Sequence, residues 1–459
     1  MKDQTPSDKK LSLFDSTAII IGSMIGSGIF IVSADISRQV QTPGMLLMAW
    51  LVTGVMTILA ALSYGELAAA MPKAGGQYVY IREAFGKMFG FLYGWTLFSV
   101  IQTGTIAAVS VAFAKFAGVF FPVISASNVV FTIGSLGINT QQLLGVSLII
   151  FLSIYNYREV KSGAFLQNIF TVAKVGALIF LIGAGLYYGL SGGLNFSHFS
   201  PAFPDVMTLT TIGVFGAALT GSLFSADAWN NITFTAGEVR NPQKNLPLSL
   251  LLGTGTVIVL YLLANISYLA VLDIGQIQTA ENDRVATLMM ETILGVKGKY
   301  FIAAMIMIST FGCLNGCIFT AARVYYAMAK DGMFLKPAAK LNKNNVPANS
   351  ITMQCIWACL LCFSGTYNDL LQYIMFAVML FYILTISGLF VLRVKRPDME
   401  RPYKAFGYPY IPAIYIILAT LVALNMLIFQ RDASLYGLLI ILIGLPIYFI
   451  AGKKKSIEN

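Results

Sequence analysis

The sequence predicts an all-α membrane protein of twelve transmembrane helices, the first and sixth of them discontinuous. Three observations lead there. The 459-residue chain is 57% hydrophobic and only 11% charged, where a soluble chain carries about 25% charged residues. Apolar stretches near the roughly 20 residues needed to cross a bilayer recur along its length. Two of those stretches are interrupted by runs of small or polar residues.

By this reading the spans cover residues 14–41, 44–71, 86–121, 142–157, 165–190, 209–234, 247–271, 300–329, 351–363, 370–394, 411–429 and 434–451. The first has no small-residue cleavage site and runs on into a full crossing, so it is read as a span and not a signal peptide. The ninth is short. An even count puts both termini on one side. If that side is the cytoplasm, 23 Lys and Arg residues fall inside and five fall outside: Arg38, Arg284, Lys297, Lys299 and Arg431. Lys115 and Lys174 lie within spans. Missing one central span would erase the asymmetry, so the charge pattern supports cytoplasmic ends, with the lysines at 453–455 as an anchor. The net charge of +10 then belongs to loops, not to a nucleic-acid surface.

Other classes are excluded by what the chain lacks. The polar intervals at 273–299 and 330–349 are too short to fold alone, so no soluble output domain of a membrane sensor is present. One histidine, His198, in an outer loop, and one lone mid-span aspartate make no hydrolase constellation. The five cysteines are odd in number and all lie in apolar stretches. Cys355, Cys359 and Cys362 share one helix face, as small packing residues do. Neither metal nor cofactor is expected.

The first interruption is GSMIGSGIF, residues 22–30. Glycine costs roughly 1 kcal/mol relative to alanine in a helix interior. The ten residues from 14 to 23 climb roughly 15 Å, about half of a ~30 Å hydrocarbon core. Non-helical backbone at that depth needs protein or a water-filled cavity around it. A break there presents free carbonyls on one half-helix and free amides on the other. The amide end favours an anion and the carbonyl end a cation. A zwitterion with carboxylate and ammonium a few ångströms apart fits both, which is the shape of an amino acid. Close helix packing through Gly22 and Gly26 is the competing explanation.

The second interruption, LFSADAWNNITF at 223–234, shifts that balance. Asp227 is an ionisable group within a span, a functional-site candidate by default. It also qualifies as a cap for the helix that resumes after it. The sixth span is where a second five-helix repeat would begin, and irregular segments at matching positions of two halves point to a transporter site.

Five motifs in order carry a resemblance over most of the chain: GSMIGSGIF; YGELAAAMPKAGGQYVYIREAFG (64–86); WTLFSVIQTGTIAA (95–108); AGEVRNPQKNLP (236–247); and STFGCLNGCIFTAARVYYAMAKDG (309–332). The chain resembles the amino acid–polyamine–organocation (APC) superfamily and, within it, the L-amino acid transporter (LAT) family. The resemblance implies a single transporter domain over 1–459, with inverted repeats at 14–190 and 209–394 and two further helices at 411–451. It implies that the amides of Ser27 and Gly28 hold a substrate carboxylate. Carbonyls near Met24, Ile25 and Gly26 would take the ammonium, helped by the unwound backbone at Phe224 and Ser225. Phe224 stands at the family's outer gating aromatic, although composition alone reads it as an ordinary apolar residue.

Lys174 would occupy the place of a sodium ion in sodium-coupled relatives, tying helix 1 to the eighth helix near Ser309 and Gly312. Snorkelling to the interface is its alternative, and that is the reading adopted for Lys115. Asp227 stands where animal members often have glycine, which leaves side-chain selectivity open. Those members bond covalently to an ancillary glycoprotein through a cysteine after the third helix. Residues 119–140 contain none, so no disulfide-linked partner is expected. The implied function is sodium-independent exchange of small to medium neutral L-amino acids in the cell membrane. A proton-coupled or cation-preferring carrier is the alternative.

Overall fold

The computed structural model describes residues 11–133, 136–157, 160–193, 196–364 and 367–457. Lys2, Lys9, Lys10 and Arg158, assigned above to the cytoplasmic side, lie outside the described residues, as do the side chains of the lysines at 453–455. The structure is nearly all helical. In chain order it comprises α1 (Leu13–Met24), α2 (Gly28–Val40), α3 (Pro43–Ala70), α4 (Gln77–Phe85), α5 (Lys87–Thr96), α6 (Gln102–Ala117), a hairpin of β1 (Val129–Ile133) and β2 (Leu136–Asn139), α7 (Thr140–Tyr155) and α8 (Val160–Tyr188). There follow α9 (Leu209–Ser225), α10 (Asn231–Phe234), α11 (Pro242–Val271), α12 (Ile274–Gln278), α13 (Val285–Lys330), α14 (Ala348–Cys362), α15 (Tyr367–Lys395), α16 (Tyr410–Phe429) and α17 (Arg431–Ile457).

Among the described residues eight helical stretches are long and apolar enough to cross a bilayer, or nine if the α1–α2 pair, bent by 40°, counts as one crossing. Three shorter apolar helices, α7, α9 and α14, coincide with the predicted fourth, sixth and ninth spans. Their ends follow from local chemistry. Ser12 and Asp15 cap α1 reciprocally, as Asn139 and Gln142 do for α7 and Thr208 and Thr211 for α9. Such boxes satisfy amides that no preceding turn can reach.

The predicted boundaries differ from the structure in three places. The third span is interrupted by a π turn at Leu97–Ile101 between α5 and α6, where the Thr103 hydroxyl donates to the Phe98 carbonyl at 2.6 Å. The predicted outer loop at 273–299 is largely helical: α12 is capped by Asp273, and α13 begins at Val285 with a break at Gly295, whose φ is 65°. The loop after the second span folds into α4, which packs against α5 and α15. Neither α4 nor the first turns of α13 is long enough to give a span signal.

Glycine brings the helices close. Gly54 of α3 lies against Ile258 of α11, and Gly253 of α11 against Ile20 of α1, with no room for a side chain at either. Small residues serve this end in bilayers because apolar lipid supplies little force to drive helices together. Ion pairs fasten the two ends. Near the end of α3 the buried Glu66 carboxylate accepts from Arg393 at 2.6 and 3.0 Å and from the Ala405 amide at 2.7 Å, with Arg401 at 3.3 Å. At the opposite end Asp283 bridges Arg38 of α2 at 2.9 Å and Lys115 of α6 at 3.2 Å. Lys115 thus reaches a carboxylate at its helix end.

Removing one partner of a buried pair leaves a charge without compensation, at a cost of about 3–5 kcal/mol. Glu66→Ala is therefore expected to lower the melting temperature of the detergent-solubilised protein by several degrees. An unchanged melt would show that the clamp contributes nothing.

Candidate functional site

The predicted interruptions of the first and sixth spans are both present, and the fold brings them together. Between α1 and α2 the backbone leaves the helix at Ile25, with φ −74° and ψ 88°, and Gly26 closes a tight turn onto the Met24 carbonyl at 2.8 Å. Between α9 and α10 it departs at Ala226, and Ala228 takes a left-handed φ of 66°. Gly28, which opens α2, lies directly against Ser225, which closes α9. A Cβ built on Gly28 would stand 3.0 Å from the Ser225 Cα and nearer still to its side chain. Only glycine permits this approach, so Gly28 of the motif has a packing role.

A break at this depth uncovers carbonyls, and here other helices supply donors. Lys174 of α8, completely buried, donates from Nζ to the Gly22 carbonyl at 2.7 Å and to the Ile25 carbonyl at 3.0 Å. The Ser309 hydroxyl of α13 donates to the Ile25 carbonyl at 3.2 Å and lies 3.5 Å from that of Gly26. Cys313 Sγ donates to the Ser23 carbonyl at 3.2 Å. Gly312 lies beside the lysine stem and gives room to Phe170 of α8, whose Cβ would stand 2.5 Å from a Cβ built there. The ammonium lies at the C-terminal, negative end of α1, where a cation is favoured. Lys174 therefore points inward to the break and does not snorkel.

The Tyr261 hydroxyl of α11 reaches both interruptions, 2.8 Å from the Met24 carbonyl and 3.1 Å from that of Ser225. One proton serves two carbonyls, so the tyrosine registers one broken helix against the other. The carbonyls of Met24 and Ile25 thus already have protein donors in this conformation. At the opposite face of the break, Ser27 and Gly28 lead into α2, where the Phe30 amide donates to the Ser27 carbonyl at 3.1 Å.

Phe224 is buried in the last turn of α9, beside Ser225. Asp227 lies past it. Its carboxylate accepts from the Tyr382 hydroxyl of α15 at 2.5 Å. No side chain caps α10 at its N-cap, Asn230. Tyr382 packs with Trp229 and Tyr64, ring centroids 5.3 and 5.9 Å away. Tyr261 and Tyr382 have no local sequence signal, and Cys313 lies within the 309–332 motif without being singled out there. Each is a single polar group in an apolar or loop stretch, brought in by tertiary packing. The tyrosines could only have been flagged as buried rings whose hydroxyls need partners.

Two interrupted spans packed at their interruptions, within a bundle of long apolar helices, define a multi-pass membrane protein with a central broken-helix site. The amino acid permease family model matches residues 11–451, and the chain belongs to that family. It is 32% identical to b(0,+)-type amino acid transporter 1 of Mus musculus over 450 residues, covering 97% of this chain and 88% of that one. It is 30% identical to the Homo sapiens protein of the same name over 456 residues, with the same coverage. Against large neutral amino acids transporter small subunit 2 of Mus musculus the identity is 29% over 444 residues, or 96% of this chain and 81% of that one. The family agrees with the motif resemblance.

Overpacking a close contact typically costs 1–3 kcal/mol. Gly28→Ala is expected to depress the melting temperature in detergent by several degrees. Gly176→Ala on α8, where a Cβ meets nothing within 4 Å, is expected to leave it unchanged or slightly raised. Equal effects would remove the case for a forced contact at Gly28.

Proposed function

We propose that this chain is a sodium-independent exchanger of small to medium neutral L-amino acids, working by alternating access around the paired breaks. The observation that carries the reading is the meeting of the two breaks, with Gly28 against Ser225 and the Tyr261 hydroxyl joining the Met24 and Ser225 carbonyls. The amides of Ser27 and Gly28 hold the substrate carboxylate. The ammonium goes to the carbonyl side, at Met24, Ile25 and Gly26 and the unwound backbone by Phe224 and Ser225, when those carbonyls exchange their protein donors for it. Phe224 closes the outer side, and movement of α1 opens the inner one. The names of the relatives, all amino acid transporters, support the substrate class.

Absence of sodium coupling follows from Lys174. A fixed ammonium bound to the Gly22 and Ile25 carbonyls, with Ser309 and Gly312 beside it, supplies the charge that a bound cation would otherwise bring. The eight long helices, the bent pair and the three shorter apolar helices support twelve spans. We assign these to inverted repeats at 14–190 and 209–394 with two added helices at 411–451. Loop charges support a cell-membrane orientation with both termini cytoplasmic. The lack of cysteine in residues 119–140 supports operation without a disulfide-linked subunit. A second reading, a cation-preferring or proton-coupled carrier, is favoured by the Asp227 carboxylate beside the site.

Counterflow in proteoliposomes loaded with a panel of amino acids separates these readings. Exchange of neutral amino acids at equal rates with and without sodium is expected. Uptake driven by a pH gradient without counter-substrate would favour the second reading. Ser27→Pro, which removes one amide from the anion cradle, is expected to abolish exchange, and full activity would contradict the cradle. Lys174→Ala removes the side-chain donor of the buried Gly22 carbonyl, worth about 1–3 kcal/mol, and leaves the Ile25 carbonyl with Ser309 alone. Exchange should fall at least tenfold, and an undiminished rate would exclude the coupling role.

A further inference from the structure

Beside the breaks, on the side toward α4, a small cavity is bounded by Gln77, Gln102, Asp227, Asn230, Asn231 and Tyr382, among others. Its open centre is only about 20 Å³, room for about one water molecule. Four carboxamides converge on it, and all four are buried, with exposures of 2 to 5%. Two of them are tied down. Asn230 Nδ2 donates to Gln77 Oε1 at 2.9 Å, and Gln77 Nε2 donates to the Thr385 hydroxyl at 2.9 Å. Gln102 Nε2 makes a long contact of 3.4 Å to the Cys317 carbonyl. Asn231 differs from these three: its Nδ2, buried in the cavity wall, has no hydrogen-bond partner among the described residues.

Four carboxamides are a costly lining for a space surrounded by membrane helices. A packed apolar wall would close the same volume without unpaired donors. The lining makes chemical sense if something with its own donors and acceptors enters. We infer that this cavity is the subsite for the substrate's side chain, and that Asn231 and Gln102 select neutral side chains able to hydrogen-bond, carboxamides foremost. The inference rests on the exchanger reading above and adds the substrate class. In the present closed conformation the subsite is collapsed to the size of a water. It widens when the α9–α10 break and α15 separate at the Asp227–Tyr382 contact. A carboxamide side chain accepts from Asn231 Nδ2 and donates to the carboxylate oxygens of Asp227. An aliphatic side chain of the same shape leaves both unanswered. Sites built to hydrogen-bond reject the analogue that lacks the group far more strongly than apolar pockets reject a changed methylene.

Asparagine and leucine share the same branched outline and differ in this respect alone, so they make the test. Competition against labelled alanine exchange is measured in proteoliposomes with the wild-type protein. Asparagine is expected to compete about tenfold better than leucine, a difference of about 1.4 kcal/mol. Asn231→Leu and, separately, Gln102→Leu are expected to cut that ratio at least threefold. Two variants at different positions guard against one failing to fold, and a detergent melt reports folding for each. Leucine matching or exceeding asparagine on the wild type would overturn the subsite, with the exchanger reading intact. An unchanged ratio in both folded variants would overturn it equally. Lysine or arginine outcompeting asparagine would overturn it in favour of a cation site at Asp227. Failure of the wild type to exchange any amino acid would overturn the exchanger reading itself.

Discussion

A main-chain carbonyl or amide without a partner inside a bilayer costs several kcal/mol, because no water is there to replace it. The central architecture answers this constraint. Interrupting α1 at Met24 frees a cluster of carbonyls, and four other parts of the chain are arranged to receive them. Lys174 comes from α8, Tyr261 from α11, Ser309 and Cys313 from α13, and Gly26 turns back on its own helix. The interruption is thus stable only in the company of three other helices. Packing and function are the same interaction here: the donors that hold the break in place are the ones a guest with its own charge must exchange with.

The same logic explains why Lys174 tolerates complete burial. An isolated ammonium in hydrocarbon is strongly disfavoured. Two carbonyls at the negative end of a half-helix and a neighbouring hydroxyl are strong compensation. Asp227 is handled differently. It meets a tyrosine hydroxyl, not a cation, and the tyrosine in turn is held in a cluster with Trp229 and Tyr64. One break is therefore bound by charge and the other by a neutral donor. The neutral contact joins α9–α10 to α15 and carries no ion pair to dissolve when the helices part. The ion pairs of Glu66 and Asp283 lie at the two ends.

Much of this was readable in the order of residues. Chain-long hydropathy identified the class and the long apolar helices, because partition between lipid and water is a property of local composition. The glycines at 22–28 and the polar run at 225–231 marked both interruptions, because helix propensity is local too. The π turn in the third span, the helical course of 285–299 and the fold of α4 were not legible. Each depends on what packs against it, and each is shorter than a hydropathy window.

By itself, then, the sequence determined that the chain crosses a membrane many times, where two of its apolar stretches fail as helices, and that Lys174 and Asp227 needed an explanation. Only the tertiary structure decided their partners. It aimed Lys174 at the Gly22 and Ile25 carbonyls, paired Asp227 with Tyr382 some 150 residues away along the chain, and set Gly28 on Ser225. The physical reason is range. A backbone dipole is uncovered by its nearest neighbours in the chain, but in lipid it is satisfied by whichever distant helix brings a donor within about 3 Å.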